Sequence, residues 1–361
     1  MSLLKENRYS IDLIRWLTRS NLFITTGRIN PIFVSALFIA FLFMTLFCVT
    51  ACGKVEKSSI THPEQIAYEV VDDQGNAIKM LGKPQKIMTT HFYLDAMVLG
   101  IVPPERMVSI SKTASDPAVS YMVKQAEKVQ NHTSEISLET VVALSPDLII
   151  TREGTGEEMV QSYRDLGIPV FVIKMPLTVE GIKQQIHLIA KIVGEPDRGN
   201  LLVDKMERQL ETIENKLQSL SLQKKSCVLV SKMNHSYGGK GCMFDDICKY
   251  AGVQNAVAEI GIENGQIISK EILVQADPDF FLLSQSWEIK HGNEEAYQDE
   301  FFIDPALNHL KAVKNNQVIY LPDKYIYASH QNCIWSIKRI ANAAYGDIFD
   351  LKDECFIKAY E

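Results

Sequence analysis

Two stretches of this chain, SLETVVALSPDLII at 137–150 and SKEILVQADPDFFL at 269–282, follow one rule. Each runs Ser-x-Glu, then six residues, then Pro-Asp and an apolar strand, with nine positions from Ser to Pro in both. The apolar residues ahead of Pro-Asp fall at helical spacing and Ser is a good N-cap, so each copy begins as a short amphipathic helix. Pro cannot continue that helix, and the Asp beside it favours a turn. The strand that follows is apolar without alternation, which requires cover on both of its faces. A parallel sheet between helix layers supplies that cover. A pattern used once in each half of the body predicts two α/β units of like design.

The flanking segments repeat more loosely. PQKIMTTHFYLDAMVLGI (84–101) is strand, polar loop and helix ending at Gly100; KKSCVLVSKMNHSYGGKGCMFDDICKYAGV (224–253) follows the same plan with a longer loop and Gly252 at its end. LGIPVFVI (166–173) and AVKNNQVIYLP (312–322) each add a strand, and YEVVDDQGNAIKM (68–80) predicts a hairpin turning at Gln74-Gly75-Asn76. Between the halves, Leu202, Met206, Leu210, Ile213, Leu217 and Leu220 make one helical stripe. Pro196 with Gly194 ends the helix before it, and Asp197 is placed to cap the start. A helix from about Arg198 to Leu220 would extend ~34 Å. The expected fold is therefore α/β, with two Rossmann-like lobes joined by a single long backbone helix. The expected divisions are a lobe at 64–177, a helical linker at 178–222 and a lobe at 223–361.

The N-terminus constrains where those lobes live. PIFVSALFIAFLFMTLFCV (31–49) carries no charge and nearly reaches the ~20 residues of a membrane span. A buried core helix fits poorly, because the run is apolar on every face, while a permanent signal anchor remains an alternative. Val49-Thr50-Ala51-Cys52 reads as a lipobox, with small residues ahead of a thiol that would take diacylglycerol. On that reading residues 1–51 are a lipoprotein signal peptide, Cys52 is the lipidation site and 52–63 is a polar tether. The body then sits on the extracytoplasmic face of the cell membrane. A lipid group with three acyl chains would hold it firmly, at ~0.8 kcal/mol per buried methylene.

Charge narrows the partners. The chain has a net charge of −7, and residues 1–51 hold five basic residues against Glu6 and Asp12, so the remainder carries −10. A body that acidic, without a Lys/Arg stripe, is repelled by phosphate backbones, and nucleic acid is not an expected partner. Beyond Cys48 and Cys52 lie Cys227, Cys242, Cys248, Cys333 and Cys355, an odd number with no Cys-x-x-Cys spacing. They read best as small buried hydrophobes.

Taken together, the hairpin with GKPQKIM, the two Glu…Pro-Asp-strand segments, FDDICKYAGVQNAVAE and AVKNNQVIYLP resemble the substrate-binding lipoproteins of ABC importers for iron-siderophores, haem and cobalamin, the class III periplasmic binding proteins. The resemblance covers about residues 64 to 345. It implies a ligand held between two lobes, docking on an ABC permease dimer, and no catalysis or cofactor. Ligands of open α/β sheets bind beyond the carboxyl ends of strands, which points to Thr90, His91, Tyr93, Arg152, Asn234, His235, Tyr237, Trp287 and Tyr325. Arg152 would pair with a ligand carboxylate, or else with Glu153 or Asp165 on the surface. Trp287 and Tyr93 would cover a bulky ring, unless they pack in the lobe cores. His91, His132 and His235 are the axial candidates if the ligand is haem. Members of the family dock through one acidic residue per lobe. Glu271 is the expected one in the second lobe, and Glu157 or Glu158 is preferred to the repeat partner Glu139 in the first.

Other classes compete. A zinc or manganese carrier would need three or four His, Asp or Glu ligands converging, to which His91 and His235 could contribute. An enzyme would show a nucleophile–base motif, yet HExxH, GxSxG, a Walker loop and GxGxxG are all missing from the sequence. A sensor module that kept the lobes and lost transport is the third alternative.

Overall fold

A computed structural model describes residues 68–134, 136–220, 223–231, 236–284 and 304–360. The apolar run at 31–49, Cys52, Asn234, His235 and Trp287 lie outside the described residues. Strands β1 (Tyr68–Val71) and β2 (Ala77–Met80) form the hairpin, and Asp72 organises its turn. One Asp72 oxygen accepts the Gln74 and Asn76 amides at 3.0 and 2.9 Å, and Gly75 supplies the positive φ of +85°. The other Asp72 oxygen accepts the Val172 amide, which docks the hairpin on the first sheet.

That sheet is wholly parallel and has five strands in the order β5-β4-β3-β6-β7. They are β3 (Ile87–Thr89), β4 (Met107–Ser111), β5 (His132–Thr133), β6 (Leu148–Arg152) and β7 (Val170–Ile173). The second sheet is also parallel, in the order β11-β10-β8-β9, with β8 (Ser226–Val230), β9 (Gln254–Asn255), β10 (Phe280–Ser284) and β11 (Val318–Leu321). Helix α1 (Phe92–Ile101) follows β3, α2 (Leu138–Leu144) precedes β6 and α3 (Glu157–Asp165) precedes β7. In both sheets the first strand is central, its successor lies on one side, and the Pro-Asp strand and the last strand lie on the other. The sequence repeat is thus a repeat of topology. Strands β7 and β10 are buried at every position, as unbroken apolar runs require.

The repeated Asp has a definite task. Asp147 accepts the Gln85 and Lys86 amides at 2.7 and 2.9 Å, just ahead of β3. Asp279 accepts the Ser226 amide at 2.8 Å at the head of β8. Each carboxylate ties the start of its own strand to the start of the neighbour. The residues before Pro, Ser145 and Asp277, both take left-handed φ values of 46° and 34° that stop the helix.

The connection between the sheets holds α4 (Val179–Ile192) and α5 (Pro196–Ser219), the latter 24 residues and about 36 Å long. Leu202, Met206 and Ile213 are fully buried, while Leu210 and Leu217 pack at the core margin. Asp197 is not the cap: Glu195 occupies that position, Pro196 opens the helix and Asp197 falls in its first turn. The two helices touch closely at Gly199, where an added Cβ would lie 2.4 Å from the Ala190 methyl carbon. Gly199→Val should therefore lower the urea midpoint and cost roughly 2–3 kcal/mol by overpacking. An unchanged midpoint would mean the helices separate freely.

The long helix is not the sole tie between the halves. Helix α6 (Met243–Tyr250) follows β8, α7 (Lys270–Ala276) precedes β10, and α8 (Cys333–Tyr345) follows β11. Ahead of α8, the wholly buried Gln331 donates to the Ala96 carbonyl of α1 at 2.7 Å. The C-terminal segment then turns back. Its Cys355 carbonyl accepts from Asn332 and Trp335, its Lys358 carbonyl from Lys205 of α5, and its Ala359 amide reaches the Gly100 carbonyl at 2.7 Å. This strap crosses both halves and the linker. Cys227, Cys242, Cys248 and Cys333 are buried and Cys355 is exposed, all as free thiols.

Candidate functional site

Beyond the carboxyl ends of β3, β4 and β5 lies an open cavity of about 740 Å³. Thr90, His91 and Phe92 reach it from the β3–α1 loop; Ser111, Lys112 and Thr113 reach it from the end of β4; His132, Thr133 and Ser134 come from β5 and its exit. The volume lies within the range of small-molecule sites. A chain of hydroxyls runs along its margin, Thr90 to Thr151 at 2.8 Å and Thr151 to Thr155 at 2.7 Å.

His91 is the distinctive group. Its Nδ1 is buried and has no hydrogen-bond partner. Burial, assisted by the Arg152 charge, lowers its pKa to about 4, so the imidazole is neutral at physiological pH. A neutral ring is the form that can accept a hydrogen bond or ligate a metal centre. His132 is differently placed. Its Nε2 lies 3.0 and 2.9 Å from the Ala126 and Val129 carbonyls and must carry the proton, leaving Nδ1 to accept from Ser115. Both of its nitrogens are thus engaged within the fold, although the ring lines the cavity.

The sequence-based candidates scatter around this wall. Thr90 and His91 line it. Arg152 is exposed at the end of β6, close enough to act on His91, and forms no ion pair among the described residues. Tyr93 is 2% exposed, donates to the Ile173 carbonyl at 3.2 Å and packs against the His91 ring, so it supports the wall from within the core. Tyr325 is likewise buried, with its hydroxyl on Glu354 at 2.5 Å and its ring against Tyr121. Both tyrosines were expected at the ligand; the structure gives them packing roles. Tyr237 is half-buried beside Tyr327 and borders a small void that includes Ser231 and Ile268, with room for about one water.

Ser111, Lys112, Thr113, Thr133 and Ser134 escape sequence reasoning. Strand β5 is two residues long and has no apolar signature, so the loops it positions are invisible. The alternation of MVSIS in β4 was the available signal.

The acidic candidates fall into two kinds. Glu139 and Glu271 occupy the same place in the repeat, in the first turns of α2 and α7. Each is fully exposed and held below the usual carboxylate range, first by the hydroxyl of the Ser two positions earlier and then by its own backbone amide. Glu157 and Glu158 are exposed in the first turn of α3, after Gly156.

Residues 89–325 match the family model described as Periplasmic binding protein. The chain belongs to that family. An uncharacterized ABC transporter substrate-binding lipoprotein of Bacillus subtilis, YvrC, is 21% identical over 86% of this chain and 97% of its own length. A vitamin B12-binding protein of Salmonella typhimurium is 24% identical over 54% of this chain and 70% of its own. Among solved structures, the apo periplasmic heme-binding protein RhuT of Roseiflexus superposes with a TM-score of 0.62 at 20% identity, covering 73% of this chain and 98% of the other. The last comparison supports the fold of a two-lobed periplasmic binding protein, in agreement with the two parallel sheets. As a family member, the chain is one of a group of solute-binding transport proteins rather than enzymes.

Proposed function

We propose that this protein is the extracytoplasmic solute receptor of an ABC importer, capturing an iron-siderophore, haem or corrinoid and passing it to a permease dimer. The observation that carries this reading is the 740 Å³ cavity at the strand ends, with the neutral His91 on its wall. Thr90, His91 and Arg152 would serve the ligand from the first half. Tyr237, with Asn234, His235 and Trp287, would serve it from the second. Anchoring through a lipid on Cys52 is part of the proposal, and the name of the Bacillus relative is consistent with it. A zinc or manganese carrier is the weaker reading, because among the described residues no group of three His, Cys, Asp or Glu side chains could hold a metal ion.

The test is a titration of the purified chain with haemin, ferric siderophores and cobalamin, followed by absorbance and tryptophan fluorescence. A Soret band selects haem and quenching by one siderophore selects that class. Failure of every ligand removes the proposal.

Docking is best assigned to Glu271 with Glu139, whose matched surroundings suit a partner that grips both halves alike; Glu157 and Glu158 are the alternatives in the first half. Glu139→Ala with Glu271→Ala is expected to leave ligand affinity unchanged and to cut uptake in cells by about tenfold or more, since one charge-assisted contact is lost per half. Normal uptake by that double variant would transfer the role elsewhere.

A further inference from the structure

Resting on the solute-receptor reading, we infer that the cavity wall after β4 is a subsite for an oxygen anion, with Lys112 as its charge partner. Lys112 is exposed on the wall and forms no ion pair among the described residues. Hydroxyls of Thr90, Thr113 and Thr133 surround the same space from three strand ends, and each can turn its proton toward an acceptor. Asp116 is the carboxylate among the described lining residues, and one of its oxygens already accepts the Ala118 amide at 3.0 Å. His91 is neutral and adds no competing charge.

The wall is also held in place from behind. The fully buried Asp95 of α1 accepts the Ser111 amide at 2.9 Å and the Thr89 hydroxyl, so the β4 exit that presents Lys112 has a fixed path. A rigid, hydroxyl-lined surface with one unpaired ammonium favours a carboxylate or a metal-bound oxyanion. An apolar ring face or a carboxamide rim leaves that ammonium without a partner. The ligand class is therefore an oxygen-rich anion, either free or on the periphery of a metal chelate. Arg152, the guanidinium expected to take this part, does not line the cavity.

The experiment titrates the full chain in detergent, as wild type, Lys112→Met and Lys112→Arg, with ferric citrate, sodium molybdate, haemin and cyanocobalamin. Thermal unfolding of the exposed-site variants is expected to match the wild type. The tightest ligand should be an anion whose affinity falls about tenfold or more in Lys112→Met, stays within about threefold in Lys112→Arg, and weakens with added salt. Molybdate alone behaving so identifies a free oxyanion; ferric citrate or haemin behaving so, without molybdate, identifies the chelate's rim. Cyanocobalamin as the tightest ligand, or Lys112→Met binding the preferred anion within about twofold of wild type, overturns the subsite and leaves the receptor reading standing. No binding by any of the four removes the subsite, and the receptor reading falls with it when the ferric siderophores fail as well.

Discussion

Asp95→Asn is expected to match the wild type in stability near pH 4 and to exceed it at pH 8. The carboxyl is fully buried behind the cavity, and burial raises its pKa from 3.8 to about 7 despite the hydrogen bonds of Ser111 and Thr89. In the unfolded chain it ionises near its ordinary value. A raised folded pKa contributes stability that is fully present below about pH 4 and is lost as pH rises through about 7. The loss amounts to roughly 4 kcal/mol, about three units at 1.36 kcal/mol each. An asparagine presents one acceptor to the Ser111 amide and one donor to the Thr89 oxygen, and carries no charge at any pH. Urea unfolding at pH 4 and pH 8 measures both arms. A difference between the proteins that stays constant across that range would mean the carboxyl does not titrate there.

Arg106→Ala should destabilise the protein by about 3 kcal/mol, toward the lower end for a buried ion pair left with one partner. The residue is 7% exposed, and its guanidinium reaches three groups from different parts of the chain. Nε donates to the Pro84 carbonyl at 2.8 Å, one terminal nitrogen to Glu195 at 2.8 Å, and the other to the Val193 carbonyl at 2.7 Å. It thereby binds the approach to β3 to the turn between α4 and α5. Glu195 retains Lys83 and Arg198 nearby, which keeps the penalty below the upper end of the range. Lys in place of Arg cannot span the three acceptors in one plane and should recover only part of the loss. Chemical denaturation of the wild type, Arg106→Ala and Arg106→Lys decides it; equal midpoints for the wild type and Arg106→Ala would show that the contacts contribute nothing net.

The architecture was legible where a local rule has a local cause. The Pro-Asp repeat announces two like sheets because the same carboxylate must satisfy amides at the head of each first strand, Gln85 with Lys86 in one and Ser226 in the other. The linker helix is written in its stripe, and the hairpin in the Asp72 turn. The cavity was less legible. Tyr93 and Tyr325 stand just past strand ends, as ligand groups would, but each has a ring that gains more from the core and a hydroxyl that finds a carbonyl or carboxylate there. Lys112 lies beyond a strand whose partner β5 is only two residues long, and no periodicity can mark so short an element. Glu139 and Glu271 share a preceding Ser that lowers each carboxyl, a likeness that the repeat already carries in its Ser-x-Glu.

The C-terminal strap has a mechanical consequence. Residues 355–360 are fastened at one end to Asn332 and Trp335 and at the other to Leu99 and Gly100, with Lys205 in the middle. Such a fastening should resist separation of the two halves, as a caliper of set gauge resists opening. A partner that grips both halves would then meet a span already fixed and lose little entropy on seating.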